Sequence, residues 1–389
     1  MPKSTRRRKV QRNAPEGPVL ARQLFTELNA TFYQDDPSEY LLTKIEALTL
    51  MLASDDALAS AYASERQIGV ARFGGMPVPS RTTRERYVRT ECVLVLHHTC
   101  ETLLRLYFAH TEKPDCPWLG MAASVSFAEF KEKIARGLDS GFDRDAVALV
   151  FLGGIDPRDA VLRIDDDQFN EGVRTFQALL TIAAQTALSE SFLYNAAKHG
   201  LTVVQSEDTT RLNFSSPDGE SIGLHSGPQF AYLHKPQYPG AKGQPEWHMS
   251  LTGPLPDRDI AVSLLIQRAV SSLWDVARRR YLGQSGEVFL MTTAAVDDAV
   301  FGAVVQAGQH VRTYTLELPK TDRDGNFLET THKFDVPQIP DEDVWEPGAS
   351  AISPTWKRVA LPARQRDRQI VSTSRQRLLP ISPTWSSRV

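Results

Sequence analysis

The sequence predicts an α+β fold, namely a mainly α-helical bundle followed by a smaller antiparallel β-containing region, with disordered basic termini. Three observations support this prediction. Long stretches carry apolar residues every three or four positions, as on the buried face of a helix. After residue 200 the pattern changes to short β-rich runs separated by turn residues. Both ends of the chain lack apolar periodicity and are rich in basic residues.

We divide the 389 residues into four parts. They are a disordered basic arm over 1–18, a helical bundle over 19–200, an α+β region over 201–336, and a disordered basic tail over 337–389. The pentapeptide Ile-Ser-Pro-Thr-Trp occurs twice in the tail, at 352–356 and 381–385. Either a docking motif with an exposed tryptophan or a duplication within a disordered segment accounts for this repeat.

Charge is distributed unevenly along the chain. Residues 1–13 hold six Lys or Arg and no acid, and residues 351–389 hold eight Lys or Arg and one Asp. Because the net charge of the whole chain is −3, residues 14–350 carry the difference, which is −16. Basic ends of this kind attract RNA or another polyanion in a salt-dependent way, and they also serve simply as solubilising segments.

Several classes of protein are disfavoured by what the sequence lacks. Its cysteines, Cys92, Cys100 and Cys116, are odd in number and form no CxxC pair, which indicates a reducing, cytoplasmic location. No apolar run approaches the roughly 20 residues that cross a bilayer, so we expect no membrane span. The patterns GxxxxGK[ST], GxGxxG and HExxH are missing, and we expect no cofactor and no metal.

Apolar periodicity predicts helices in the first half of the chain. One begins after Pro37, and the first long helix spans Thr83 to His110. Ser126 followed by Glu129 has the pattern of a capping box and marks a further helix start. The apolar run AVALVFLGG over 146–154 is compatible with a buried strand or with a turn of helix.

A second long helix is predicted from Gln168 to His199. Three aspartates precede it over 165–167, and we interpret them as helix-capping acids rather than metal ligands, because acids stabilise the first turn of a helix. The apolar stripe of this helix becomes polar over its last three turns, at Glu190, Tyr194 and Lys198. Either the helix end leaves the core there, or these groups line a polar cleft against another helix.

The β-rich region begins after Gly200. Its predicted strands lie near 201–205, 210–214, 222–227, 229–234, 247–251, 286–293, 312–318 and 325–334, with a third long helix from Asp257 to Tyr281. Residues Gly219 to Gly223 match the letters GxSxG, but a Ser-Pro-Asp-Gly turn precedes the serine, so we predict a hairpin there.

Two segments carry a family resemblance. With HHTCETLLRLYFAH on one long helix and FLYNAAKHG ending another, residues from about 37 to 200 resemble the HEPN superfamily of small helical domains. The resemblance implies metal-independent RNA cleavage by a His and an Arg, often within a homodimer. No arginine lies four to six residues before His199, so this signature is incomplete.

The resemblance and the polar faces of the two long helices together give candidate roles to individual residues. The catalytic candidates are His199, Lys198 and Asn195, and the binding candidates are Tyr194, Glu190, Glu101, His97 and Arg105. Glu101 and Arg105 are four residues apart on a helix and are expected to pair. His199 would act as general acid or base, and Lys198 would stabilise phosphate charge.

Two functions are therefore expected from the sequence. The first is an intracellular HEPN-like protein that binds RNA or another anionic nucleotide ligand; any enzyme activity would be that of a metal-independent ribonuclease. The alternative is a non-enzymatic protein–protein interaction platform with a helical core and adaptable basic tails.

Overall fold

The computed structural model describes residues 20–123, 126–199, 202–215, 221–236, 246–306, 311–337 and 356–364. The predicted arm over 1–18 and most of the predicted tail over 337–389 lie outside these ranges. The described part is an α+β protein in which helices predominate and all sheets are small and antiparallel, which confirms the predicted fold class.

The described residues form twelve helices, preceded by a short 3-10 turn at Arg22–Leu24. In chain order the helices are α1 (Phe25–Phe32), α2 (Pro37–Met51), α3 (Asp55–Ala63), α4 (Arg81–Glu112), α5 (Pro117–Ala122), α6 (Phe127–Ser140), α7 (Arg144–Phe151), α8 (Pro157–Ala160), α9 (Asp166–Ser189), α10 (Ser191–Lys198), α11 (Pro256–Leu282) and α12 (Thr293–Gln306). The predicted long helices correspond to α4, to α9 with α10, and to α11.

The strands form four antiparallel sheets. In chain order they are β1 (Arg66–Ile68), β2 (Ala71–Phe73), β3 (Val203–Gln205), β4 (Arg211–Ser215), β5 (Ser221–Ser226), β6 (Phe230–His234), β7 (His248–Thr252), β8 (Gly286–Leu290), β9 (Thr313–Glu317), β10 (His332–Asp335) and β11 (Lys357–Leu361). The largest sheet has the order β10-β9-β7-β6-β3, and the remaining pairs are β1-β2, β4-β5 and β8-β11. The pairing of β4 with β5 agrees with the hairpin predicted around residues 219–223.

Side-chain caps define several helix starts as predicted. Ser126 and Glu129 form the expected capping box, in which each side chain accepts a hydrogen bond from the other residue's backbone N–H. The Asp165 carboxylate accepts a hydrogen bond from the Gln168 N–H at 2.8 Å, so this acid caps α9. Asp36 caps α2 in the same way, with Pro37 at the first helical position.

The apolar run over 146–154 is a helix, α7, and not a strand. Its Asp143 cap accepts a hydrogen bond from the Ala146 N–H at 2.8 Å. Val147 and Phe151, four residues apart, are fully buried on one side of the helix. The chain then turns at Gly153, whose φ of 81° is readily adopted only by glycine.

One hydrophobic core joins elements from both halves of the chain. Helix α11 packs against α4, α2 and α7, while α4 also packs against α9. Trp274 and Leu273 of α11 are buried in the same cluster as Phe151 of α7 and Phe176 of α9. The predicted boundary at residue 200 therefore does not divide the core, because α11 completes the helical bundle.

Helix α11 is long and apolar enough to cross a membrane by length and composition, which the sequence analysis did not anticipate. In this helix, 67% of its most apolar window is buried inside the protein. Since it packs against α4 and α2, it is a core helix of this fold.

A strand from the predicted tail belongs to this core. Residues 357–361 form β11, which pairs with β8 and buries Val359 and Leu361. The expectation of disorder over 337–389 is therefore wrong for these residues. Trp356, which ends the first Ile-Ser-Pro-Thr-Trp segment, is half-buried against the core, and the Arg268 guanidinium lies 4.8 Å from its ring centroid. The other residues of both pentapeptides lie outside the described ranges.

Candidate functional site around Glu190

The helix predicted from Gln168 to His199 is in fact two helices. Helix α9 ends at Ser189, α10 begins at Ser191, and Glu190 lies between them with φ −93° and ψ 10°. The prediction of one continuous helix was wrong because the apolar spacing continues across this junction. The Glu190 N–H still donates to the Thr186 carbonyl at 3.1 Å, so only the direction of the chain changes.

The Glu190 carboxylate lies between two arginines from distant parts of the chain. Arg258 Nη1 of α11 is 3.5 Å from its Oε1 atom, and Arg312 Nη2, just before β9, is 3.9 Å from its Oε2 atom. Arg258 Nη1 also lies 3.1 Å from the Asp259 carboxylate. The side chains of Glu190, Arg258 and Arg312 are 18%, 14% and 10% exposed, so these charges interact with little screening by solvent.

The two acids of this cluster have opposite pKa shifts. Burial by itself raises the pKa of Glu190, but the neighbouring groups, chiefly the charges of Arg312 and Arg258, lower it below its ordinary value. Burial is also the largest effect at Asp259, where it outweighs both arginines and raises the pKa to about 6. Glu190 is therefore the carboxylate that stays ionised, and Asp259 is the one that takes up a proton first.

Two polar atoms of the cluster have no hydrogen-bond partner among the described residues. They are Glu190 Oε2, an acceptor, and Arg312 Nη2, a donor. The distance of 3.9 Å between them is too long for a direct hydrogen bond. Since a buried polar group without a partner costs about 1–3 kcal/mol, this donor and acceptor favour a ligand that supplies both hydrogen bonds.

A cavity of about 600 Å³ is lined in part by Glu190 and Arg312. Its walls come from α9, α12, the segment before α11, and the two ends of the β9–β10 hairpin. Polar and apolar side chains alternate around it: Thr181, Ile182, Gln185, Ser189, Glu190, Leu255, Arg258, Asp297, Val300, Phe301, Val304, Arg312, Asp335 and Val336. A volume of this size lies within the range of small-molecule sites, about 300–1,000 Å³.

A much smaller space lies on the α4 side of Glu190. The His97 ring of α4 stacks on the Tyr194 ring of α10, with centroids 4.4 Å apart and planes at 14°. The space they line with Glu101 and Lys131 is only about 20 Å³, far smaller than the cavity of about 600 Å³ that Glu190 lines. The predicted facing of His97 and Glu101 against Tyr194 is observed, but the space between these residues is small.

His97 is held in its neutral form. Burial is the main effect and lowers its pKa to about 4, although the Glu190 carboxylate and a hydrogen bond to the Glu190 backbone act in the opposite direction. With that pKa, the imidazole carries no charge near neutral pH. We conclude that His97 supports the junction through stacking and does not supply protons.

The other predicted polar residues of α4 are already paired. Arg105 Nε donates to the Glu101 carboxylate at 2.7 Å, as the four-residue spacing predicted. The Arg105 guanidinium also lies over the Phe130 ring, 4.3 Å from its centroid. Arg105 therefore packs against α6 and does not face the cavity at Glu190.

The three predicted catalytic residues lie on the surface at the end of α10. Asn195, Lys198 and His199 are exposed, and none of them lines the cavity at Glu190. Lys198 Nζ lies 5.7 Å from the centroid of the Tyr194 ring. The sequence grouped these residues with Glu190 as one cluster, but the structure separates them by burial: Glu190 is enclosed, and the His199 end faces solvent.

No group of three His, Cys, Asp or Glu side chains within the described ranges is arranged to hold a metal ion. Two histidines of the β-rich region, His234 and His248, lie side by side with ring centroids 5.8 Å apart. His234 Nε2 is within 2.9 Å of the Ser250 hydroxyl, so this pair belongs to the hydrogen bonds within the sheet.

Arg258, Asp259 and Arg312 were not predicted as site residues from the sequence. Arg258 and Asp259 resemble ordinary residues of a helix start, where acids are common. Arg312 precedes a predicted strand and looks like a polar strand flank. The sequence carried no signal that these residues would meet Glu190, because their contacts join segments far apart in the chain.

Comparison of the chain with protein-family models, with curated proteins and with solved structures gives no match. The geometry of the site itself is therefore the basis for assigning a function.

Proposed function

We propose that this protein binds either a free nucleotide or a nucleotide within an RNA strand, and that the base inserts into the cavity beside Glu190. The observation behind this proposal is the unpaired acceptor Glu190 Oε2 next to the unpaired donor Arg312 Nη2. The edge of a nucleobase presents an acceptor beside a donor and can satisfy both atoms at once. The apolar walls of the cavity suit the faces of the ring.

We further propose that the protein is an intracellular, HEPN-like protein that binds RNA without cleaving it. The exposed position of His199 and Lys198 supports binding without cleavage, because neither side chain lines the cavity at Glu190 where the base is proposed to insert. The basic termini would add salt-dependent attraction for the RNA backbone.

A binding experiment tests the base site. The four nucleosides, their monophosphates and a mixed-sequence single-stranded RNA would be titrated into the protein by calorimetry. We expect at least one of them to bind with a dissociation constant in the micromolar range. The proposed nucleotide function would be abandoned if none binds at millimolar concentration.

The matched variant is the double substitution Glu190→Gln with Arg312→Gln, which removes both charges together and leaves no buried charge without its partner. Since a hydrogen bond to a charged group contributes about 1.5–3 kcal/mol, its loss weakens binding about 10-fold or more. Arg323→Gln is the control, because Arg323 is an exposed arginine of the same hairpin that does not line the cavity. Equal binding by all three proteins would place the ligand elsewhere.

The second candidate function is a non-enzymatic interaction platform. The observation in its favour is an exposed apolar surface, which lies on the five-stranded sheet and not on the helical core where the sequence analysis expected it.

A further inference from the structure

A groove of about 930 Å³ lies between β11 and the segment that joins α8 to α9. Residues 357–360 of β11 line one wall, and residues 161–164 of the joining segment line the other. Side chains alternate between the two faces of a strand, so a space that four consecutive residues line lies along the backbone edge of that strand. The groove therefore follows an edge of β11.

The edge of β11 along the groove is open. Strand β11 pairs with β8 on its other side, from Lys357 opposite Leu290 to Leu361 opposite Gly286, and no residue of β8 lines the groove. Within the described ranges these two strands make up their whole sheet, and no backbone hydrogen bond joins residues 357–361 to another segment. Such an edge presents a row of N–H and C=O groups to which a further strand can be added.

The opposite wall is fixed by backbone hydrogen bonds. The Val161 N–H donates to the Arg158 carbonyl at 3.1 Å, and the Leu162 N–H donates to the Pro157 carbonyl at 3.0 Å. Val161 has a φ of 58°, which is uncommon for a β-branched residue, and it is 49% exposed on this wall. The groove is therefore already formed in the unbound protein.

The groove is basic. Among the described residues, four cationic side chains and a single acidic one line it: Arg158, Arg163, Lys357 and Arg358, with Asp166 as the acid. The first three cations are exposed and have no ion pair or side-chain hydrogen bond with any described residue. Arg358 lies 3.7 Å from Glu287, but the two side chains are 60% and 50% exposed, and such surface ion pairs are weak. These cations are therefore available to a ligand.

We infer that this groove binds an extended acidic peptide of a partner protein, which adds to β11 as a third strand. The main chain of the peptide forms hydrogen bonds with the open edge, and its acidic side chains pair with the cations of the two walls. A second copy of β11 is disfavoured in this place, because it would bring its own Lys357 and Arg358 against the same cations.

The alternation along β11 defines which peptide fits. Arg358 and Ala360 are exposed on one face of the strand, whereas Val359 and Leu361 are buried on the other. A neighbouring strand therefore fits best when acidic side chains, which lie beside Arg358, alternate with apolar ones, which lie beside Val359. A nucleic acid offers the negative charge, but it has no row of N–H and C=O groups to pair with the strand edge.

Fluorescence anisotropy of the full chain with a labelled peptide Glu-Val-Glu-Val-Glu-Val tests the inference. We expect a dissociation constant in the micromolar range. The control peptide has the same side chains but is N-methylated at every backbone nitrogen, so it cannot donate hydrogen bonds to a strand. It should bind at least 10-fold more weakly. Equal binding of the two peptides, or no binding of either at millimolar concentration, would overturn the addition of a strand to β11.

The double variant Arg158→Glu with Arg163→Glu reverses two charges on the loop wall and should weaken peptide binding at least 10-fold. The matched control is Arg66→Glu with Arg72→Glu, which reverses two exposed arginines of the β1–β2 hairpin that do not line the groove. This control should bind the peptide like the wild type, and circular dichroism would show that both variants are folded. Equal weakening in both would mean general attraction by charge and would contradict a site in the groove.

Two further measurements identify a different occupant. If single-stranded oligouridylate displaces the peptide and binds more tightly through the same arginines, the groove is a nucleic-acid site and the inference is wrong. Residues 341–346 of the chain itself hold four acids. If the peptide binds only after these acids are replaced by their amides, the chain's own segment occupies the groove and the assignment to a partner protein is wrong. Nucleotide binding is measured at the Glu190 cavity, which shares no lining residue with this groove, so either idea can fail alone.

Discussion

Glu190 and His199 stand nine residues apart at the two ends of one polar stretch, yet they occupy opposite environments. Glu190 lies at a helix junction between two arginines, with its side chain 18% exposed. His199 caps α10 on the surface. Two polar residues of the same sequence segment thus have different roles: one organises a buried charge cluster, and the other ends a helix. The comparison teaches that a polar cluster in sequence is not one site in space.

Among the substitutions that test this contrast, Glu190→Ala is expected to cause the largest loss of stability. Removing the carboxylate leaves the partly buried Arg312 and Arg258 with less compensating charge, and breaking a buried ion pair in this way costs about 3–5 kcal/mol. Urea unfolding followed by circular dichroism measures the loss. Glu190→Gln, which keeps the shape and one acceptor, is the control and should lose less. A loss below about 1 kcal/mol for Glu190→Ala would show that the cluster is not structural.

Lowering the pH should reduce the stability of the folded protein through His97, which lies near Glu190. Burial lowers the folded-state pKa of His97 from 6.5 to about 4, so the unfolded chain binds more protons between these pH values. The stability due to the neutral imidazole is present above pH 6.5 and is lost as pH falls toward 4, by roughly 3 kcal/mol. Urea unfolding at pH 7, 5.5 and 4.5 measures this loss.

The comparison protein for this experiment is His97→Gln, which cannot titrate. Its stability should fall less than that of the wild type over the same pH range. Asp259 acts with the opposite sign, because its pKa is raised to about 6 and its contribution to stability is lost as pH rises from 3.8 toward 6. His110 and His234, whose pKa values are also lowered to about 4, act in the same direction as His97 in both proteins. Identical pH profiles would contradict the prediction for His97.

The smallest effect is expected from His199→Ala. The side chain is exposed, and substitutions at such positions usually change stability by less than about 0.5 kcal/mol. The variant and the wild type should both leave single-stranded RNA intact, as judged by gel analysis of a labelled RNA. Cleavage by the wild type and not by the variant would restore His199 as a catalytic residue and overturn the proposal of binding without cleavage.

Long periodic elements were predictable from the sequence. Helices α4 and α11 were expected within one or two residues at most ends, because their apolar spacing persists over many turns and outweighs local ambiguity. The capping box at Ser126 was also predictable, since it depends on residues only three positions apart. Helix α12 was missed because its apolar residues, broken by Asp297, Asp298 and Gly302, show no clear stripe.

The site was predictable only in part. The change from apolar to polar side chains at Glu190, and its proximity to His97, could be predicted from the periodicity of two helices. The helix break at Glu190 could not be predicted, because its stabilising partners, Arg258 and Arg312, come from α11 and from just before β9. The exposed positions of Val204 and Leu233 on the five-stranded sheet could not be predicted either, because alternation along a strand indicates two faces but not which face the rest of the protein covers.

Strand β11 has a consequence for synthesis of the chain. It pairs with β8 and buries Val359 and Leu361, although the ribosome has already finished β8 when residue 290 is added. A ribosome that adds roughly 5–20 residues per second needs several seconds to reach residue 361 from there. Throughout that interval the nascent chain holds a strand whose neighbour has not yet been made, and such an edge can pair with another chain. Recognition of this edge by a chaperone would therefore matter most just before the last strand emerges.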